Sequence, residues 1–298
     1  MPLTARRRKE AGMGRDFSQG KGALFIILAS VAWSFAGVLS KWAPWGAFSL
    51  VGVRALITTI VLGIYRKSFR PVFNKGTWLG AIGVSVTSTL FIIANKLTTA
   101  ANAIVLQYAM PIVVILGAWV FWGQRPGKVD IAASLLTLGG VVLCFVGGFS
   151  RGSLLGDSLA LFTAFTFALV FFAARLPDTD PMNYTFLGNL ICSLFLLYIP
   201  FDPDFVISPQ AVASALAMGV CLAAGYVFFT AGMRTQVHPV TASIVANVEP
   251  VLNPFWAFLF LGENPGPFSI VGAALVILSV TVYGVVKSRL SRQRGEAL

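Results

Sequence analysis

A handful of residues in this 298-residue chain have the type and placement to do chemistry in an apolar setting. Arg54 and Glu249 are the best placed charges within long apolar runs. Opposite charges there invite a pairing, and each also suits the mouth of a water-filled cavity. Arg54 has the planar fork that grips a carboxylate, with a tie to a neighbouring carbonyl as the structural alternative. Glu249 directly precedes Pro250 and is open to protonation, but its run holds no second carboxylate close by. His238, the single histidine, adjoins Pro239 at the edge of a run, where a capping or interfacial role is expected. The runs contain no HExxH, no paired aspartates and no Ser/His set, so the reading is not an enzyme. No GxxxxGK[ST] occurs, so ATP is not expected to drive the chain. Cys144, Cys192 and Cys221 form no CxxC and read as packing residues, and no metal or cofactor is expected.

A second group is polar or aromatic rather than charged. Pro111 and Pro250 fall in the middle of apolar runs, where each removes a backbone donor and leaves a carbonyl to be satisfied. At 100° per residue, Ile104, Gln107, Tyr108, Pro111 and Trp119 share one face of the first of these runs. Ser243, Ala246, Asn247 and Pro250 share the matching face of the second. Polar groups at that depth either line a cavity or bond across helices. Trp33 is mid-run, with Ser30 and Ser34 beside it, and Thr163, Thr166 and Phe167 form a similar group further on. A mid-run tryptophan with polar neighbours suits a pocket that stacks on flat apolar groups, with lipid-facing packing as the alternative. Trp42, Trp45, Trp78 and Trp122 lie near run ends and read as interfacial anchors.

These residues must be held by elements that cross a bilayer. Hydrophobic residues make up 57% of the chain, charged residues 11%, and the mean hydropathy is +0.82. A soluble domain carries about 25% charged residues and cannot hide so much apolar surface. The composition excludes a soluble enzyme, a disordered chain and a disulfide-stapled domain. Apolar segments run over 22–40, 46–65, 77–95, 101–122, 128–148, 154–174, 183–200, 211–232, 240–262 and 267–286. They lack the alternation of lipid-facing strands, so all are expected to be helices. Gly37, Gly80, Gly83, Gly139, Gly140 and Gly225 are expected to let these helices approach closely.

Charge sets the direction. With the N-terminus placed in the cytoplasm, eighteen of the 22 Lys and Arg residues fall on that side. They lie in the N-tail from Arg6 to Lys21, in the loops holding Arg66 to Lys75, Arg125 and Lys128, Arg175, and Arg234, and in the C-tail from Lys287. Only Lys41, Lys96 and Arg151 fall outside. This positive-inside bias places both termini in the cytoplasm. It accounts for the net charge of +11 as an orientation device against anionic headgroups, without nucleic acid. The first run reads as an uncleaved anchor.

A shift of 139 residues lays the fourth and fifth segments on the ninth and tenth. Pro111 meets Pro250, Tyr108 meets Asn247, and Gly123, Pro126 and Gly127 meet Gly262, Pro265 and Gly266. A shift of 134 places Trp33 on Phe167. Five segments per copy is an odd number, so the copies are expected to cross the membrane in opposite senses, with a site between them near the midplane. The expected organisation is a basic N-tail (1–21), one five-helix repeat (22–148), its inverted copy (154–286) and a basic C-tail (287–298).

With Pro111, Pro250, the Leu261-Gly262-Glu263 segment, Gly272 and Arg54, this pattern resembles the drug/metabolite transporter superfamily in its branch with two EamA-type repeats. It departs from that pattern at Gln124, where the family usually has glutamate. The resemblance covers about residues 22–287. It implies an all-α membrane protein of ten transmembrane helices in the bacterial inner membrane, most similar to exporters of amino acids, aromatic ones notably. The expected activity is export of such small molecules by alternating access. Substrate-facing residues would be Trp33, Ser34, Gln107, Tyr108, Trp119, Thr163, Phe167, Ser243 and Asn247, with Pro111 and Pro250 as hinges. Other metabolites or drugs, or a non-transporting scaffold or sensor, are the alternatives.

Overall fold

The chain is described by a computed structural model over residues 3–98, 100–145, 154–261 and 267–296. Arg151, Gly262, Glu263 and the Asn264-Pro265-Gly266 turn lie outside these ranges. Among the described residues all regular structure is helical. The order is α1 (Leu3–Trp42), α2 (Ala47–Arg66), α3 (Lys75–Leu97), α4 (Ala100–Gln107), α5 (Met110–Trp122) and α6 (Lys128–Phe145). There follow α7 (Leu154–Ala173), α8 (Pro181–Ser193), α9 (Pro209–Arg234), α10 (Pro239–Val245), α11 (Glu249–Leu261) and α12 (Pro267–Glu296). Short 3-10 segments extend α8 over Leu194–Phe201 and join α10 to α11 over Ala246–Val248.

The boundaries follow from local chemistry. Asp180, Ser208 and His238 each accept a hydrogen bond from a backbone N–H of the first turn, and a proline follows each of them. A proline there gives up no helical bond, because the first-turn N–H groups have no partner within the helix. Gly123 closes α5 in the left-handed region at φ 62, where a residue without Cβ is unstrained. The helix of α1 begins at Leu3, well before the apolar run, so the basic N-tail is helical, and α12 likewise carries its helix on to Glu296. Ala, Arg, Lys and Glu in these tails are good helix formers, and no proline interrupts them.

Seven helical stretches among the described residues are long and apolar enough to cross a membrane. The fourth and ninth apolar segments are not continuous helices. Each is broken just before its proline, between Gln107 and Met110 and over Ala246–Val248. The repeat is visible in these boundaries. Met110 and Glu249, Trp122 and Leu261, Lys128 and Pro267 are pairs of helix ends 139 positions apart.

Packing is dominated by contacts between the halves. α1 lies against α9, α3 against α7, α2 against α8 and α9, and α6 against α12. Contacts run antiparallel. Thr87 Oγ1 is 2.6 Å from Thr166 Oγ1 and Thr98 Oγ1 donates to Asp157 at 2.6 Å, while Gly76 at the other end meets Thr179. If α1 is equated with α7, and α3 with α9, the α1–α9 and α3–α7 contacts are one contact made twice. Gly225 allows a close approach of α9 to α1, since a Cβ there would lie 2.1 Å from Trp33 Nε1. Trp45 departs from its expected role as an exposed anchor: it is buried and its indole donates to Val206 O at 2.8 Å. The α8–α9 connection folds over it, which a lone tryptophan at a run end does not reveal.

Candidate functional site

Where the halves meet, α1, α2, α3, α4, α7, α9 and the start of α11 border a cavity of about 80 Å³. Trp33, Arg54, Gln107, Phe167 and Glu249 all line it. Gln107 Oε1 accepts from Thr163 Oγ1 at 3.2 Å, which ties α4 to α7. The aromatic part is a cluster around Trp33. Its ring centroid is 5.4 Å from Tyr226 at 69°, and 6.2 Å from Phe167 at 65°. Its Nε1 donates to Leu222 O at 3.4 Å. Edge-to-face geometry satisfies the ring quadrupoles and leaves ring edges and faces toward the cavity.

Arg54 is 4% exposed. Its Nη2 donates to Ser88 O at 3.0 Å and to Ser88 Oγ at 2.7 Å. No Arg54–Glu249 ion pair forms, although both residues line the same cavity. The Glu249 carboxylate instead lies within electrostatic reach of the Tyr108 hydroxyl, which completes no hydrogen bond of full geometry.

The other expected site residues are buried close to the breaks rather than on the cavity wall. Ser34 Oγ accepts from Trp256 Nε1 at 2.7 Å. Ser243 Oγ donates to Val240 O within its own helix at 2.9 Å. Asn247 Nδ2 donates to Ser243 O at 2.8 Å, and its Oδ1 has no partner. Trp119 is a correction. It is 49% exposed on the outer face of α5. A single helical register does not run from Gln107 to Trp119, because the chain turns through i to i−3 bonds at Ala109 and Ile112, so the faces of α4 and α5 are not in phase.

Tyr226, Thr87, Ser88 and Phe91 were missed. The polar string Ser85, Thr87, Ser88, Thr89 in mid-run was the available signal for α3. Nothing in the periodicity marks Tyr226, which reaches the site only through the α1–α9 packing.

The end of the bundle that gathers the loop cations holds a wider cleft of about 800 Å³ lined by Arg175, Asp180, Arg234 and His238 among others. Arg234 grips Asp180 through two bonds of 3.0 and 2.8 Å. His238 Nδ1 accepts from Val240 N–H at 3.3 Å, so Nε2 carries the proton and donates to Gln124 Oε1 at 2.7 Å. Gln124 Oε1 also accepts from Arg175 Nη1 at 2.8 Å. Burial, then the Arg175 and Lys287 charges, push the imidazole down to about 4, against a smaller opposing pull from Asp130.

An all-helical apolar bundle with a cavity walled by both of its halves is the architecture of a membrane transporter. The chain belongs to the EamA-like transporter family, whose pattern it matches twice, at residues 20–146 and 154–285. This family falls within the drug/metabolite transporter superfamily. The chain is 25% identical to the uncharacterized transporter YwfM of Bacillus subtilis (strain 168), over 87% of this chain and 92% of that one. It is 25% identical to the uncharacterized inner membrane transporter YicL of Salmonella typhimurium, covering 92% and 99%. It is 24% identical to the pseudopaline exporter CntI of Pseudomonas aeruginosa, covering 87% and 94%. A crystal structure with 19% sequence identity superposes at a TM-score of 0.75, covering 91% of this chain and 99% of the other, and shares the fold.

Proposed function

We propose that this multi-pass membrane transporter exports amino acids, aromatic and other apolar ones, across a bacterial inner membrane by alternating access. In this reading ten spans form two inverted five-helix repeats with both termini in the cytoplasm. The observation that carries it is the composition of the cavity wall. Trp33, Arg54 and Gln107 come from one half, Phe167, Tyr226 and Glu249 from the other. A site shared between halves that rock against each other is exposed to one side of the membrane and then to the other. Aromatic edges and two charged groups suit a molecule with a flat body and charged ends.

The cavity volume supports a moving mechanism. About 80 Å³ is well below the roughly 300–1,000 Å³ of ordinary ligand pockets, so passage requires the halves to part. Pro111 and Pro250 stand at the second position of α5 and α11, directly after the breaks, where hinge motion costs no continuous helical bonds. The wide cleft at the cationic end is the cytoplasmic vestibule in this reading. The test is counterflow in proteoliposomes with a panel of amino acids and unrelated metabolites. Exchange of phenylalanine and tryptophan is expected. Exchange of only sugars, nucleobases or drugs, or of nothing in the panel, overturns the reading.

A further inference from the structure

We propose that Arg54 is the anion anchor of the central cavity and that the group it binds is a carboxylate carried on a flat apolar body. The inference rests on the cavity being the transport site and narrows what that site recognises.

A guanidinium has five N–H donors and stays charged in proteins. In this one, Nη2 is held by the carbonyl and hydroxyl of Ser88, while Nε, fully buried, meets no acceptor. Ser88 supplies neutral dipoles, which orient the group without cancelling its charge. The ion pairs among the described residues are Arg234 with Asp180 and Lys287 with Asp130, so no carboxylate is paired with Arg54. A buried cation that lacks an anion is unfavourable, and the same cation, already oriented, is strongly stabilised when an anion arrives. The cavity beside it is lined by Trp33, Phe167, Tyr226 and Phe91, whose rings suit an aryl or large alkyl body. Arg54 therefore discriminates for the acid group.

The experiment uses the full chain in detergent and in proteoliposomes with three probes: phenylalanine, 3-phenylpropionate, which lacks the amine, and 3-phenylpropanamide, its neutral counterpart. Binding is read by quenching of tryptophan fluorescence and by calorimetry. Both acids are expected to bind, and the amide about ten- to a hundredfold more weakly, the range for a hydrogen bond to a charged group. Arg54→Gln is expected to weaken the acids to the level of the amide and leave the amide unchanged. The comparison of acid with amide in the unmodified protein needs no variant, and Ser88→Ala, which keeps the cation but frees its orientation, should narrow the same gap. The proposal is overturned if the amide binds as well as the acid, if neither acid binds, or if Arg54→Gln keeps the discrimination. Arg54-dependent binding of 3-phenylpropionate without amino-acid counterflow would retain the anchor and remove the amino-acid reading. Counterflow of phenylalanine together with equal binding of 3-phenylpropionate and 3-phenylpropanamide would do the reverse.

Discussion

The hydroxyl of Ser30 on α1 lies 3.2 Å from the carbonyl of Ala246, the carbonyl that Pro250 deprives of its usual helical donor. The same hydroxyl is 3.0 Å from Ile26 O in its own helix, and the backbone N–H of Glu249 also reaches Ala246 O. A proline in one half is thus accommodated by a side chain of the other, as the absence of water in a bilayer requires. Removing Ser30 should cost about 1 kcal/mol, because Ala246 O keeps one donor.

That relationship predicts coupling between the two sites. Pro250→Ala restores the missing N–H and makes Ser30 partly redundant, so Ser30→Ala should cost less in the Pro250→Ala background than in the parent. Unfolding of both singles and the double variant in detergent measures this directly. Additive effects would show that the Ser30 contact is incidental. Pro250→Ala and Pro111→Ala should also slow counterflow more than they reduce folded yield. Parent-rate transport in both would make the prolines packing features.

The His238 ring predicts a pH dependence at the cationic end. Its folded value near 4 lies below the unfolded 6.5, so the unfolded state binds its proton first as pH falls. The contribution to stability is full above about 6.5 and is lost as pH drops toward 4, by up to about 3 kcal/mol. Gln124→Glu sets a carboxylate between His238 and Arg175 and should raise the imidazole value. The midpoint of thermal unfolding, followed from pH 7 to 5, should therefore fall more steeply in the parent than in Gln124→Glu. Parallel profiles would remove His238 as the titrating group.

Gly225→Ala tests the close contact of α9 with Trp33 on α1. The added methyl would sit 2.1 Å from Trp33 Nε1, so the indole must move into the cavity or α1 must shift from α9. Overpacking of this kind costs roughly 1–3 kcal/mol. Trp33→Ala in the same chain should recover much of the stability, while lowering competition by phenylalanine more than by alanine in vesicle uptake. A Gly225→Ala variant as stable as the parent would mean that Trp33 has room to spare.

Topology is checked with reporters. A fluorescent protein fused after residue 298 should be bright, and a phosphatase there inactive, because eighteen cations lie on the side assigned to the cytoplasm. The opposite pattern would reverse or change the span assignment.

Hydropathy and charge are local sums, and so the apolar segments, the helical class and the gathering of cations could be read from the chain directly. The 139-residue repeat was legible for a similar reason: matched prolines and turns impose matched helix ends at Met110 and Glu249. Arg54, Glu249, Trp33, Gln107 and Phe167 were legible as unusual residues for their depth. Their meeting in one cavity was not, because period alone says which side chains share a helix face and not which faces meet. The tertiary structure made those choices. It kept Arg54 from Glu249, brought Tyr226 and Ser88 into the wall through the packing of α9 and α3, and turned Trp119 outward. Sequence reasoning failed at Trp119 for a physical cause, since a register of 100° per residue holds only while the helix is unbroken, and Pro111 breaks it.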